Sequence, residues 1–160
     1  MAIPPYVVEL RRHIGHALIW LPGVTAVVLR DRAGVDCPEL LLVQRADTRE
    51  WTPVTGIVDP GENPHTCAER EVLEETGVTA VVQRLAWVSA SAVVHHPNGD
   101  LAQYLDHTFI CRYAGGSAHV ADDESCDVRW WPLDALPPMA ERYAERIAAA
   151  LAPPGEVRLG

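Results

Sequence analysis

The chain has 160 residues, with 22 acidic and 13 basic side chains and a formal net charge of −9. Its length fits one ordinary domain, and 48% hydrophobic with 22% charged residues describes a globular core rather than a disordered chain. The acidic balance argues against a surface that holds extended nucleic acid by broad phosphate neutralisation.

After Pro4-Pro5, the spacing of Tyr6, Leu10 and Ile14, followed by Gly15, predicts a short N-terminal helix over about 5–14. His16 to Trp20 and Val24 to Arg30 read as two strands broken at Pro22-Gly23, Asp31 to Gly34 as a turn, and Leu40 to Arg45 as a third strand. The apolar stretch Ala17 to Leu29 falls short of the roughly 20 residues of a membrane span. Asn63-Pro64 is a helix start and Gly77 a left-handed stop. Thr79 to Val94 reads as strand, His96-Pro-Asn-Gly-Asp100 as a turn, and Gln103 to Tyr113 as the returning strand of a hairpin. Val128 to Trp131 is a short strand. Met139, Tyr143, Ile147 and Leu151 stripe a C-terminal helix over about 138–152. The mixture predicts an α/β domain over 1–160, a mixed sheet between helices. MAIPPYVVELRR has no basic region followed by an apolar run, so no secretory signal is expected. Cys37, Cys67, Cys111 and Cys126 form no CxxC pair, which points to free thiols in a reducing cytoplasm.

One helix carries unusual charge. Glu71, Glu74 and Glu75 stand at i, i+3 and i+4, within an arc of roughly 100° on one face. Like charges so placed destabilise a helix unless a cation sits among them, and Arg70 cannot neutralise all three. Clustered glutamates are most often only a solvated face. Here a loop with two glycines and another carboxylate, Gly56 to Glu62, leads directly into the helix. Hard divalent cations take carboxylate oxygens, and Mg²⁺ is the natural candidate, with Mn²⁺ able to substitute.

The segment Gly56 to Val78 resembles the Nudix box, G-x5-E-x7-R-E-U-x-E-E-x-G-U with U a bulky aliphatic. Gly56, Glu62, Arg70-Glu71, Val72, Glu74-Glu75, Gly77 and Val78 fill every specified position. Seven fixed positions at usual residue frequencies would coincide by chance on the order of 10⁻⁸ per window. The resemblance implies an α/β/α sandwich and a metal-dependent hydrolase of a nucleoside diphosphate linked to another moiety. It implies Glu71 and Glu75 as main metal ligands, Glu74 as a third ligand or the acceptor of the water proton, and the Gly56 carbonyl as a further ligand. Arg70 would orient the glutamates and Glu62 brace the loop.

A carboxylate from a later loop often serves such enzymes as ligand or base, and Glu124 of Asp122-Asp123-Glu124 is the candidate. The chain departs from the usual Leu-Pro-Gly-Gly entry, with Thr55 in place of the first glycine. Trp20, Trp51 and Tyr104 are candidates to stack on a base, and the 95–100 turn could lie over the cleft. The implied partner is a small nucleotide, with no extended nucleic acid and no membrane. A homodimer through the N-terminal region is a further expectation. The alternative is a nucleotide-sensing module of the same family without turnover, which would be expected to have lost box carboxylates.

Overall fold

A computed structural model of the chain describes residues 3–160. Proline at the first helical position and glycine at the last turn bound the first helix, α1 (Pro5–Ile14), where the Gly15 N–H donates to the Arg11 carbonyl at 2.8 Å. β1 (Ile19–Arg32) and β2 (Val35–Arg45) form a hairpin, turned at Gly34 with φ +75°. Two short strands follow, β3 (Trp51–Thr52) and β4 (Val54–Ile57), then α2 (Pro64–Thr76). Beyond it run β5 (Val78–Ala90), β6 (Val94–His95), β7 (Leu101–Gly116) and β8 (Ser125–Pro132). A 3₁₀ turn (Leu133–Ala135), α3 (Glu141–Leu151) and β9 (Arg158–Leu159) complete the chain.

The described strands make one mixed sheet in the order β3-β2-β1-β7-β5-β9, with β4 on β1, β6 on β7 and β8 on β2. Its centre is a parallel pair, β1 and β7, in unbroken register from Ile19–Ala102 to Leu29–Arg112. Because side chains alternate along a strand, β1 serves two cores. Val24, Ala26 and Val28 meet Cys67, Ala68 and Val72 of α2, while Val27 packs in a second cluster with Ile147 and Ala150 of α3. Val7 of α1 packs with Ile19, Leu21 and Ile57. Burying each such aliphatic side chain contributes on the order of 1.5–3 kcal/mol. The result is the α/β/α sandwich that the sequence suggested. No helix among the described residues is long and apolar enough to cross a membrane, and all four cysteines are free.

Several boundaries differ from expectation, four of them with a visible local cause. Pro22-Gly23 does not break β1: the Pro22 carbonyl faces β4 and accepts from the Val58 N–H at 3.1 Å, just beyond the last β1–β4 pair. The missing proline donor therefore falls at a sheet margin, where it costs no ladder bond. Residues 16–18 lie outside β1, and His16 instead bonds Asp100 at 2.7 Å. The strand expected to reach Val94 stops at Ala90, where the Ser91 hydroxyl accepts from the Tyr104 N–H at 2.9 Å. The C-terminal helix starts at Glu141 rather than near 138, because Ala140 is extended and donates its N–H to Glu50 Oε1 at 3.0 Å.

Candidate active site

The loop from Val58 to Asn63 is fixed before the helix begins. Gly61 takes φ +86°, the Glu62 N–H donates to the Asp59 carbonyl, and the Asp59 N–H returns a bond to Glu62 Oε2 at 3.2 Å. Asn63 occupies the N-cap position, but its backbone carbonyl, not its side chain, serves the Cys67 N–H. At the other end Gly77, at φ +68° and ψ 7°, closes the helix through the Leu73 carbonyl.

Arg70 gathers the acidic side chains. Its Nε and Nη2 donate to the two oxygens of Glu62 at 2.9 Å each, and its Nη1 donates to Glu71 Oε1 and Glu74 Oε2 at 3.0 Å each. The fork geometry of a guanidinium suits such bridging. Pairing with Arg70 holds the Glu62 carboxyl below the usual range.

Glu71 and Glu75, one turn apart, are only 5% and 4% exposed, whereas the Glu74 side chain is 58% exposed. Burial pushes both buried carboxyls up to about 7. Arg70 opposes the shift at Glu71, while Glu71 and Asp122 add to it at Glu75. Gly56 belongs to the same site. A Cβ there would lie 2.6 Å from Glu71 Cδ and 2.7 Å from its Oε1, so only glycine lets β4 and the carboxylate approach this closely.

The later loop is laced to the end of α2. The His119 and Ala121 N–H groups donate to the Thr76 and Glu75 carbonyls, and the Ala46 N–H donates to the Glu124 carbonyl at 2.7 Å. Asp122 Oδ1 accepts from the backbone N–H groups of Glu124 and Ser125. This brings Asp122, Asp123 and Glu124 beside the box.

A cavity of about 450 Å³ adjoins this cluster. Val7, Leu21, Ile57 and Tyr104 line it with the 96–100 turn, Arg45 and Glu124. The box glutamates do not line it. Consecutive residues of β4 connect the two places: Gly56 meets Glu71 on one sheet face, and Ile57 lines the cavity on the other.

The aromatic candidates separate. Tyr104 pairs with Leu21 in register and lines the cavity. Trp20, one residue before Leu21, points to the opposite face and is 53% exposed. Trp51 packs edge-on against Trp131 at 5.3 Å, in the core beneath α3. Arg45 and His96 also line the cavity, and sequence reasoning did not single either out. Arg45 ends a strand without any periodic signal. His96 was legible only as part of its turn.

The donor set fits a hard divalent cation. Among the described residues no three His, Cys, Asp or Glu side chains converge as a ready cage. Magnesium does not require one, since it ordinarily takes one or two carboxylates and fills its remaining positions with water and phosphate oxygens. Two buried carboxyls, Glu71 beside the bare Cα of Gly56 and Glu75 one turn on, provide oxygens of the kind such an ion takes.

Residues 20–151 match the NUDIX domain family. The chain belongs to the Nudix hydrolase family. A MutT-like protein of Streptomyces ambofaciens is 33% identical over 130 residues, covering 81% of this chain and 75% of that protein. The NAD-capped RNA hydrolase NudC of Chromobacterium violaceum is 32% identical over 130 residues, covering 79% of this chain and 44% of its own length. An ADP-ribose pyrophosphatase structure from Streptococcus suis shares the fold, with a TM-score of 0.62 at 21% identity, over 87% of this chain and 99% of that one.

Proposed function

We propose that this chain is a metal-dependent hydrolase that cleaves the pyrophosphate bond of a nucleoside diphosphate linked to another moiety. The observation that carries this reading is the buried pair Glu71 and Glu75 against Gly56. Glu71, Glu75, Glu74 and the Gly56 carbonyl would hold Mg²⁺, or Mn²⁺ in its place. The cation supplies charge neutralisation for the diphosphate and makes water a better nucleophile.

The chain's own residues do the rest. Water attacks phosphorus, the bridging P–O bond breaks toward the leaving phosphate, and the water proton passes to a carboxylate. Glu74 and Glu124 are the two candidates for that acceptor; Glu74 is exposed beside the buried pair, and Glu124 lines the adjoining cavity. Arg70 fixes the glutamates, and Glu62 braces the loop through Arg70 and Asp59. The substrate's organic group would sit in the cavity against Tyr104, with the diphosphate passing the end of β4. Trp51 would support the loop from the core, and Trp20 could meet only a part of the substrate that reaches the other face.

The substrate is a small nucleotide, in keeping with the acidic charge, and the free thiols suit the cytoplasm. A single domain over 1–160 is the accompanying reading; the bond from Arg11 of α1 to the Leu101 carbonyl at 2.8 Å, which ties that helix to β7, supports it. Val8, Leu10 and Ile14 lie exposed on α1 and would serve a homodimer. A solution mass near twice that of the chain supports the dimer, and a monomeric mass removes it.

The deciding experiment incubates purified protein and Mg²⁺ with nucleoside triphosphates, nucleotide sugars and ADP-ribose. Metal-dependent product release that is lost in Glu75→Gln is the expected result. Tight binding without product would identify a sensing module instead.

A further inference from the structure

The loop before β8 is seated on the last turn of α2 by more than its backbone bonds. The His119 and Ala121 N–H groups donate to the Thr76 and Glu75 carbonyls at 3.0 and 3.2 Å. Beside these bonds, the His119 imidazole fills the space that a side chain on Gly77 would need. A Cβ there would overlap the ring at Cε1 and lie 2.5 Å from its Nδ1. The ring is oriented by its own loop: Nδ1 stands 2.7 Å from the Ser117 carbonyl, which can only accept, so Nδ1 donates. Gly116, at φ +83°, provides a second clearance, because a Cβ on it would overlap the Gly77 carbonyl. Gly77 therefore meets two needs, a left-handed helix stop and a bare Cα that receives the ring.

The seated loop carries acid. Asp122 Oδ1 accepts from the Glu124 and Ser125 N–H groups at 3.2 and 3.1 Å, which fixes the turn at its far end. Asp122 is close enough to Glu75 to help push that carboxyl up. The Glu124 carbonyl is held by the Ala46 N–H at 2.7 Å, and Glu124 lines the cavity. Residues 119 to 124 thus run from the glutamate helix to the cavity, anchored at both ends. A short segment anchored at both ends has few conformations, so its anchors set where its carboxylates stand.

We propose that His119 is a positioning residue for hydrolysis: its ring, seated over Gly77, holds the loop so that Glu124 stands where it takes the water proton. This rests on the reading above that the buried glutamates bind the cation and a carboxylate accepts the proton, and it selects Glu124 over Glu74 as that acceptor. The ring acts through its shape against Gly77, and its charge plays no part. Truncating it opens a gap above Gly77 into which the loop can settle. A displacement of about 1 Å at a reacting group costs on the order of a hundredfold in rate.

The test compares wild type, His119→Ala and His119→Phe, with Mg²⁺ and whichever of ATP, GTP, UDP-glucose and ADP-ribose the wild type turns over fastest. His119 is exposed, so its replacement leaves the core intact. In His119→Ala, kcat is expected to fall by about 10–100-fold, with KM changed by less than about threefold. His119→Phe should recover most of that loss, because it restores a ring over Gly77. The gain in melting temperature on adding Mg²⁺, which reads the buried glutamates, should persist in both variants. Hydrogen exchange at the Ala121 N–H should quicken by about tenfold in His119→Ala and far less in His119→Phe. A near wild-type kcat in His119→Ala, a loss that His119→Phe does not recover, a vanished Mg²⁺ response or unchanged exchange at Ala121 overturns the proposal. Turnover lost in Glu75→Gln but kept in His119→Ala defeats this inference alone, whereas turnover that survives in Glu75→Gln defeats the catalytic reading.

Discussion

The two faces of the sheet bury carboxylates in opposite ways. On the α3 face, Asp106 is 3% exposed and accepts from the Thr25 and Thr108 hydroxyls at 2.9 and 2.8 Å, with Arg146 Nη1 3.4 Å away. Arg146 also donates to Thr25 at 3.0 Å, which closes the cluster. On the α2 face, Glu71 and Glu75 are equally buried, and that burial, with a smaller contribution from neighbouring carboxylates, pushes both up to about 7. The first arrangement holds a negative charge for the fold. The second gathers Glu62, Glu71 and Glu74 on the single guanidinium of Arg70, a crowding of acid that suits a bound cation.

That contrast can be broken at either end. The largest effect is expected on activity: Glu75→Gln should lower metal-dependent turnover by roughly a thousandfold, within the range for losing a preorganised electrostatic group. A near wild-type rate in a product-release assay would remove the distinction between the two faces. Asp106→Ala should destabilise by about 3–5 kcal/mol, because it leaves the Arg146 charge buried without its partner. Chemical denaturation measures that loss, and turnover per folded molecule should stay near wild type. A smaller effect concerns pH. In metal-free protein the raised Glu71 and Glu75 carboxyls protonate more readily folded than unfolded. Their contribution is fully present below the ordinary carboxylate range and is lost as pH rises through about 7. Unfolding free energy between about pH 5 and about pH 8 should fall by a few kcal/mol, and less so in Glu75→Gln.

The two faces were also unequally legible. The box could be read because its chemistry lies in one contiguous segment, whose spacing follows from helix geometry and from the close approach at Gly56. Asp106 and Arg146 are 40 residues apart in sequence and meet only through β7 and α3, so no local pattern announces them. The cavity is dispersed in the same way. Arg45, His96 and Tyr104 converge because parallel pairing of β1 with β7 sets Leu21 beside Tyr104. The same register sends Trp20 to the other face, a fact that composition cannot supply. Pro22 misled for a related reason: a proline breaks a strand only where its donor is needed, and the partner strand decides that.

Thermal melts at about pH 8 with and without Mg²⁺ test the central claim most directly, since a ligand that binds only the folded state raises its stability. The wild type and Asp106→Ala should both gain stability from the cation, although the variant starts lower, while Glu75→Gln should gain none. An equal gain in Glu75→Gln would contradict the assignment of the buried pair to the metal.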